Sequence, residues 1–210
     1  IELIQNEIPE AQIAIDSANP EAVEAGFKAH QGRALLNSIN MEKERMESII
    51  PLIREHKPRV IGLTIDDNGV TQDADKRFDL GVQLIELLTK NDIDLDDIFI
   101  DPLIFPVSAE LQAGNVSLNI MGRLKEQYPG VHMVCGLSNI SFGLPERKLI
   151  NQVYMMMAMG RGLDAAIIDP LDKRMMASII TARTLLGQDK ACKGYLKAYR
   201  SDGLNLELVP

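Results

Sequence analysis

The sequence predicts an α/β fold of parallel strands and covering helices, a (β/α)8 barrel, and three observations predict it. Short apolar runs alternate with longer amphipathic stretches along all 210 residues. The runs are continuously apolar rather than alternating, as expected of parallel strands buried on both faces. The strands also end in polar side chains, which is where barrel enzymes keep their working groups.

In chain order, the candidate strands are Gln12–Asp16, Ala34–Asn37, Val60–Thr64, Ile98–Asp101, Val131–Gly136 and Ala165–Asp169. Helical patterns follow them at Pro20–Ala29, Met41–His56, Asp73–Lys90, Ala109–Gln127, Pro145–Arg161 and Leu171–Leu186. Such alternation means βα units and a parallel sheet. Asn19-Pro20-Glu21 supplies an N-cap, a proline at the first helical position and an acid in the first turn. Asn40 followed by Glu42 and Glu44 predicts a second such start, and Leu144-Pro145-Glu146 a third.

Six parallel units fit two architectures. An open doubly wound sheet normally carries a glycine-rich phosphate turn after its first strand, and neither GxGxxG nor GxxxxGK[ST] occurs here. A barrel needs about 250 residues. The chain opens on Ile1 with Ile4 and Ile8 at helical spacing, so the expectation is one domain, residues 1–210, with the first two βα units lying upstream. The polar strand ends favour the barrel.

Composition narrows the function classes. Hydrophobic residues make up 46% and charged residues 25%, the range of a globular chain able to bury a core. A net charge of −8 gives no electrostatic footprint for nucleic acid. No run of 18 apolar residues predicts a membrane span, and the opening IELIQNEIPEA has neither the basic nor the apolar region of a signal peptide. Two distant cysteines, Cys135 and Cys192, read as unpaired thiols of a reducing cytoplasm. Three isolated histidines, with no HExxH, argue against a zinc site, so no metal is expected.

Gathered on one rim, Asp16, Asn37, Asp101, Asn139 and Asp169 form a ring of carboxylates and amides, with Gly136 and Ser138 beside them. The ring holds no nucleophile–base pair and no metal triad. It suits a flat, nitrogen-rich heterocycle, whose N–H edges want carboxylates and whose acceptors want amides. A strand-end Asp or Asn also serves as an N-cap or turn former, and Asp169-Pro170 has that pattern. Asp92-x-Asp94-x-Asp96 is not a calcium loop, since Asp97 and Leu103 stand where Gly and Glu are needed. Gly136–Ile140 lacks the final glycine of a nucleophile elbow. Glu42–Arg45 is expected to be an exposed helix face.

The segments AIDSANPEAVEAGF (14–27), ALLNSINMEKE (34–44), IGLTID (61–66), FIDPLIFPVS (99–108) and CGLSNISFGLPERKLIN (135–151) together resemble one family in the right order. They resemble the pterin-binding methyltransferases: methyltetrahydrofolate:corrinoid protein methyltransferases, related to the folate domain of cobalamin-dependent methionine synthase and to dihydropteroate synthase. The resemblance implies a (β/α)8 TIM barrel of the pterin-binding type with the pterin in its C-terminal mouth. Asp16, Asn37 and Asp101 match positions that hydrogen-bond the pterin, and Asn139 matches the amide that approaches its methyl-bearing N5. Arg147 matches a basic residue near the site; Gly136, Ser138 and Asp169 complete the candidate binding set. Phe142 stands where some members carry Gln.

The implied activity is methyl transfer between N5 of methyltetrahydrofolate and the cobalt of a corrinoid protein, in either direction, with Asn139 catalytic. The implied substrate is the folate, the corrinoid is carried by a partner protein, and the chain is expected to be a cytoplasmic homodimer of one-carbon metabolism or O-demethylation. Two alternatives stand beside it: a dihydropteroate synthase-like condensation, which LSNISF disfavours, and a non-catalytic subunit binding folate or a corrinoid protein.

Overall fold

The computed structural model describes residues 1–201, 203 and 204. Five parallel strands, β1 (Ala14–Asp16), β2 (Leu35–Met41), β3 (Arg59–Asp66), β4 (Ile98–Asp101) and β5 (His132–Met133), pair in strict sequence order. That order decides between the two architectures. A doubly wound sheet reverses its strand order at a switch point, whereas a barrel wall adds each new strand on the same side. Helices α1 (Glu2–Glu7), α2 (Pro20–Ala29), α3 (Lys43–His56), α4 (Ala74–Lys90) and α5 (Ala113–Gln127) precede or connect the strands. After β5 come α6 (Arg147–Met159), α7 (Lys173–Leu185) and α8 (Lys193–Arg200). Among the described residues no helix is long and apolar enough to cross a membrane.

The core lies between the strands and their helices. Leu36 and Ile39 of β2, Val60 of β3 and Ile98 and Ile100 of β4 are fully buried against Ile49 and Ile53 of α3 and Leu84 and Leu88 of α4. Each such side chain contributes about 1.5–3 kcal/mol. Close approach of α4 depends on Gly62 in β3: a Cβ there would meet Ile100 Cδ1 at 3.2 Å and Leu84 Cδ1 at 3.3 Å. Helix starts follow the capping logic where the cap is local. The Asn19 side chain accepts from the N–H groups of Glu21 and Ala22, and Asp73 from those of Asp75 and Lys76.

Three expectations are corrected. Ala165–Asp169 forms no strand; it contributes one parallel bridge, Gly136 to Ile167. The Ala165 N–H donates to Met133 O at 3.0 Å and the Ile167 N–H to Cys135 O at 2.8 Å. The Met133 N–H donates to the Asp164 carboxylate at 2.8 Å. The expected strand Val131–Gly136 is likewise shorter, His132–Met133, the two residues paired with Phe99 and Ile100 of β4. Secondly, β2 runs on to Met41, and α3 begins at Lys43 without a local cap. Its first free N–H is satisfied by Asp67 of the β3–α4 loop at 3.0 Å, a long-range cap that sequence spacing cannot show. Thirdly, α6 starts at Arg147, because Glu146 adopts a left-handed conformation (φ 50°) that leaves Pro145 outside the helix.

Candidate functional site

The C-terminal strand ends carry the candidate residues in two groups. In the first, Asp16 closes β1 and Asn37 lies beside it in register on β2. The Asn37 amide donates to Asp16 Oδ2 at 3.1 Å. Their side chains line a pocket of about 410 Å³ with Ser17, Ser38, Glu42 and Arg45. Register shifts follow Asn37, and the Asn37–Ser38 peptide is cis.

Asp101, at the end of β4, heads the second group. It stands two strand spacings from β2, roughly 10 Å along the sheet. It is buried, and burial pushes its carboxyl up to about 6, against the opposing effect of N–H donors from Leu103 and Gly136. The Leu103 N–H reaches Oδ1 at 2.8 Å. Beneath it, Thr64 of β3 donates its hydroxyl to the Asp101 carbonyl at 3.3 Å. Cys135 is fully buried nearby, and burial, with the Asp101 charge behind it, holds its thiol far above the ordinary range. It is no nucleophile.

Gly136 links Asp101 to Asn139. A 3-10 turn, Leu137–Ser141, follows it and presents Ser138 and Asn139 to solvent. A Cβ on Gly136 would lie 3.4 Å from Asn139 Nδ2, so the amide rests over this glycine. Among the described residues the Asn139 side chain makes no hydrogen bond, whereas its backbone is committed on both sides: its N–H donates to Gly136 O and its carbonyl accepts from Phe142 N–H. Arg147 secures the turn from outside. Its Nη2 donates to Ser138 O at 2.7 Å and its Nε to Ser141 Oγ at 3.1 Å, with the guanidinium 5.9 Å from the Phe142 ring.

Asp169 is placed differently. It is exposed, and its Oδ1 accepts the Leu171 N–H at 2.9 Å, which is turn chemistry. It lines a separate pocket of about 310 Å³ with Ser138, Lys148, Asn151 and Asp172. The structure thus joins Asp16 to Asn37, and Asp101 to Gly136 and Asn139, and leaves Asp169 at the edge.

Two arginines of the rim lie outside the set that sequence reasoning names. Arg45, expected on an exposed helix face, is half-buried, and Arg77 is 1% exposed. Arg77 Nη1 donates to Pro102 O at 2.9 Å and Leu103 O at 2.7 Å, just beyond Asp101. Helical phase is the signal that finds them. Arg45 precedes buried Ile49 and Ile53 by four and eight residues, and Arg77 precedes Leu80 and Leu84 by three and seven, so both lie on buried stripes.

Comparison with known proteins bears on the family and the fold. Residues 1–169 match the family model described as pterin binding enzyme. A methylcorrinoid:tetrahydrofolate methyltransferase of Eubacterium limosum is 36% identical over 200 residues, covering 94% of this chain and 73% of that protein. A methionine synthase of Mycobacterium tuberculosis is 33% identical over 168 residues, 74% of this chain but 14% of that protein. Among solved structures, a Yersinia pestis DHPS with a pterine–sulfa conjugate superimposes with a TM-score of 0.66 at 13% identity, covering 88% of this chain and 72% of that one. A dihydropteroate synthase of Xanthomonas albilineans in complex with 7,8-dihydropteroate gives 0.59 at 17% identity, over 90% and 73%. At such identities these structures speak for the barrel fold alone.

Proposed function

The chain belongs to the pterin-binding enzyme family, and on that premise we propose that it transfers a methyl group between N5 of tetrahydrofolate and the cobalt of a corrinoid protein. The observation that carries this reading is the uncommitted Asn139 amide, held over Gly136 beside the buried Asp101 carboxylate. The likeness to the methylcorrinoid:tetrahydrofolate methyltransferase of Eubacterium limosum supports it.

In this reading the pterin lies flat in the mouth. Asp101 accepts hydrogen bonds from the N–H edge of the ring, and Asp16 with Asn37 supplies further polar contacts on the neighbouring strands. A charged acceptor buried away from water makes such bonds stronger than neutral ones. The reacting bond is N5–CH3. Its electron pair stays on nitrogen as the methyl group leaves, and a tertiary amine leaves poorly unless N5 is protonated or hydrogen-bonded. Asn139 meets that need in both states, donating to a bare N5 and accepting from N5–H without changing its own charge. The corrinoid, carried by the partner, supplies the strongly nucleophilic metal centre; this chain orients the ring, shields it and stabilises the charge that develops at N5. The reverse transfer uses the same contacts. With no side chain at Gly136, the ring's approach stays open.

The test mixes the chain with methyltetrahydrofolate and a cobalt(I) corrinoid and follows the cobalt(I) absorbance. Chain-dependent decay is expected; decay no faster than in its absence contradicts the reading. Turnover of pterin pyrophosphate and 4-aminobenzoate to pteroate would place the chain with the synthases instead. The assembly proposed is a homodimer, which light scattering reads directly, a monomer mass being the contrary result.

A further inference from the structure

Three helices of the rim carry an arginine in their first turn: Arg45 in α3, Arg77 in α4 and Arg147 in α6. A cation is unfavourable there, because the helix dipole already places positive charge at that end. None of the three forms an ion pair among the described residues. Arg45 and Arg77 instead donate to main-chain carbonyls just beyond a candidate site residue, and Arg147 to the Ser138 carbonyl and the Ser141 hydroxyl. Arg45 shows the pattern most fully. Its Nε and Nη2 donate to Ser38 O at 3.0 and 2.6 Å, its Nη2 also to Ser17 O at 3.0 Å, and its Nη1 to Ala18 O at 3.0 Å. Ser17 and Ala18 follow Asp16, and Ser38 follows Asn37.

We propose that Arg45 is a positioning residue for the folate site, locking the loop after β1 to β2 at Ser38 so that Asp16 and Asn37 face the ring in one fixed geometry. This rests on the functional reading above. Only a guanidinium can make this clamp, because its planar fork spans three carbonyls, two from the loop after β1 and one from β2, which the point charge of a lysine cannot do. Burial pulls the guanidinium below its ordinary range, and the carboxylates of Glu42 and Asp16 oppose this by favouring its charged form. The charge therefore stands in the pocket wall without a direct carboxylate partner, which suits a site receiving a polar ring rather than a structural ion pair.

The test compares wild type, Arg45→Gln, Arg45→Lys and, as control, Arg33→Gln, whose arginine binds Lys57 O and Asp97 at the opposite end of the sheet. Calorimetric titration with methyltetrahydrofolate, turnover with a cobalt(I) corrinoid and thermal melts are recorded for each. Arg45→Gln is expected to raise Kd and KM about tenfold while kcat at saturating folate stays within about threefold. Arg45→Lys should fall between it and wild type, and Arg33→Gln should lower the melting temperature with Kd unchanged. Unchanged Kd in folded Arg45→Gln, or in Arg45→Lys if the glutamine variant does not fold, overturns the proposal. So does failure of both variants to fold, which makes Arg45 architectural. If wild type itself binds no methyltetrahydrofolate, the functional reading fails, and this inference with it.

Discussion

The two ends of the sheet treat charge in opposite ways. At the N-terminal end, charges neutralise one another. Arg33 and Arg59 converge on the buried carboxylate of Asp97 at 2.6 and 3.5 Å. Asp164 draws Lys125 and His132, each at 2.9 Å, and His132 also touches Asp96 and stacks on Phe99. At the C-terminal end, Asp16 and Asp101 have no cationic partner among the described residues, and the arginines of that rim bond to carbonyls. One end has paired its charges; the other leaves two carboxylates without cations, an exposed amide unbonded and its arginines held by carbonyls. Unpaired polar groups cost stability, and a fold that gathers them on one rim keeps that cost away from its ion-paired end.

Substitutions at the two ends should therefore fail differently. The largest effect is expected at Asn139. Replacement by Ala removes the one amide able to follow N5, and should slow methyl transfer about 10²–10³-fold, with folate affinity within about threefold by calorimetry. Asp101→Asn comes next, weakening folate about 10–100-fold through loss of charge-assisted hydrogen bonds. It also carries a pH signature. The folded carboxyl titrates near 6 and the unfolded one near 3.8, so between these values the folded state holds the extra proton. Stability contributed by the protonated form is present below about 3.8 and lost as pH rises through about 6, on the order of 2–3 kcal/mol. Wild-type folate affinity should fall as pH drops through about 6, since the protonated acid accepts poorly, and the Asn variant should show a flat profile and greater stability than wild type at pH 8. A sloping profile in the variant assigns the titration elsewhere.

At the other end the signs reverse. Asp97→Ala should cost about 1–2 kcal/mol in chemical denaturation, because Arg33 and Arg59 lose their shared partner but remain partly solvated, and folate affinity should not move. Smallest is Asp73→Ala, back on the rim, which removes the cap of α4 for about 1 kcal/mol without removing a candidate site residue. A folate defect in Asp97→Ala would break the division between the ends.

How much of this is legible in the sequence follows the range of the interactions. Local signals hold: the apolar runs of β3 and β4, the Asn19 cap, and strand-end positions for Asp16 and Asp101. What the sequence hides depends on a distant partner. The capping of α3 comes from Asp67, and the Ala165–Asp169 run makes a single bridge, with the Met133 N–H beside it taken by Asp164. Asp169 reads as one rim carboxylate among five residues, yet its turn geometry sets it at the margin. Arg45 is obscured when charge is weighed above helical phase: EKER reads as a solvated surface, while its spacing to Ile49 and Ile53 places the arginine inward. The pairing of Asp16 with Asn37, and of Asp101 with Gly136, needs strand register, which no motif contains.

The most direct measurement is single-turnover methyl transfer from methyltetrahydrofolate to a cobalt(I) corrinoid, run side by side on wild type, Asn139→Ala and Asp97→Ala, with folate binding titrated on the same samples. Rapid loss of cobalt(I) absorbance is expected with wild type and Asp97→Ala. Asn139→Ala should bind folate yet transfer about 10²–10³-fold more slowly. Equal rates for all three proteins, or no chain-dependent transfer by wild type, would contradict the role given to Asn139 and the methyl transfer built on it.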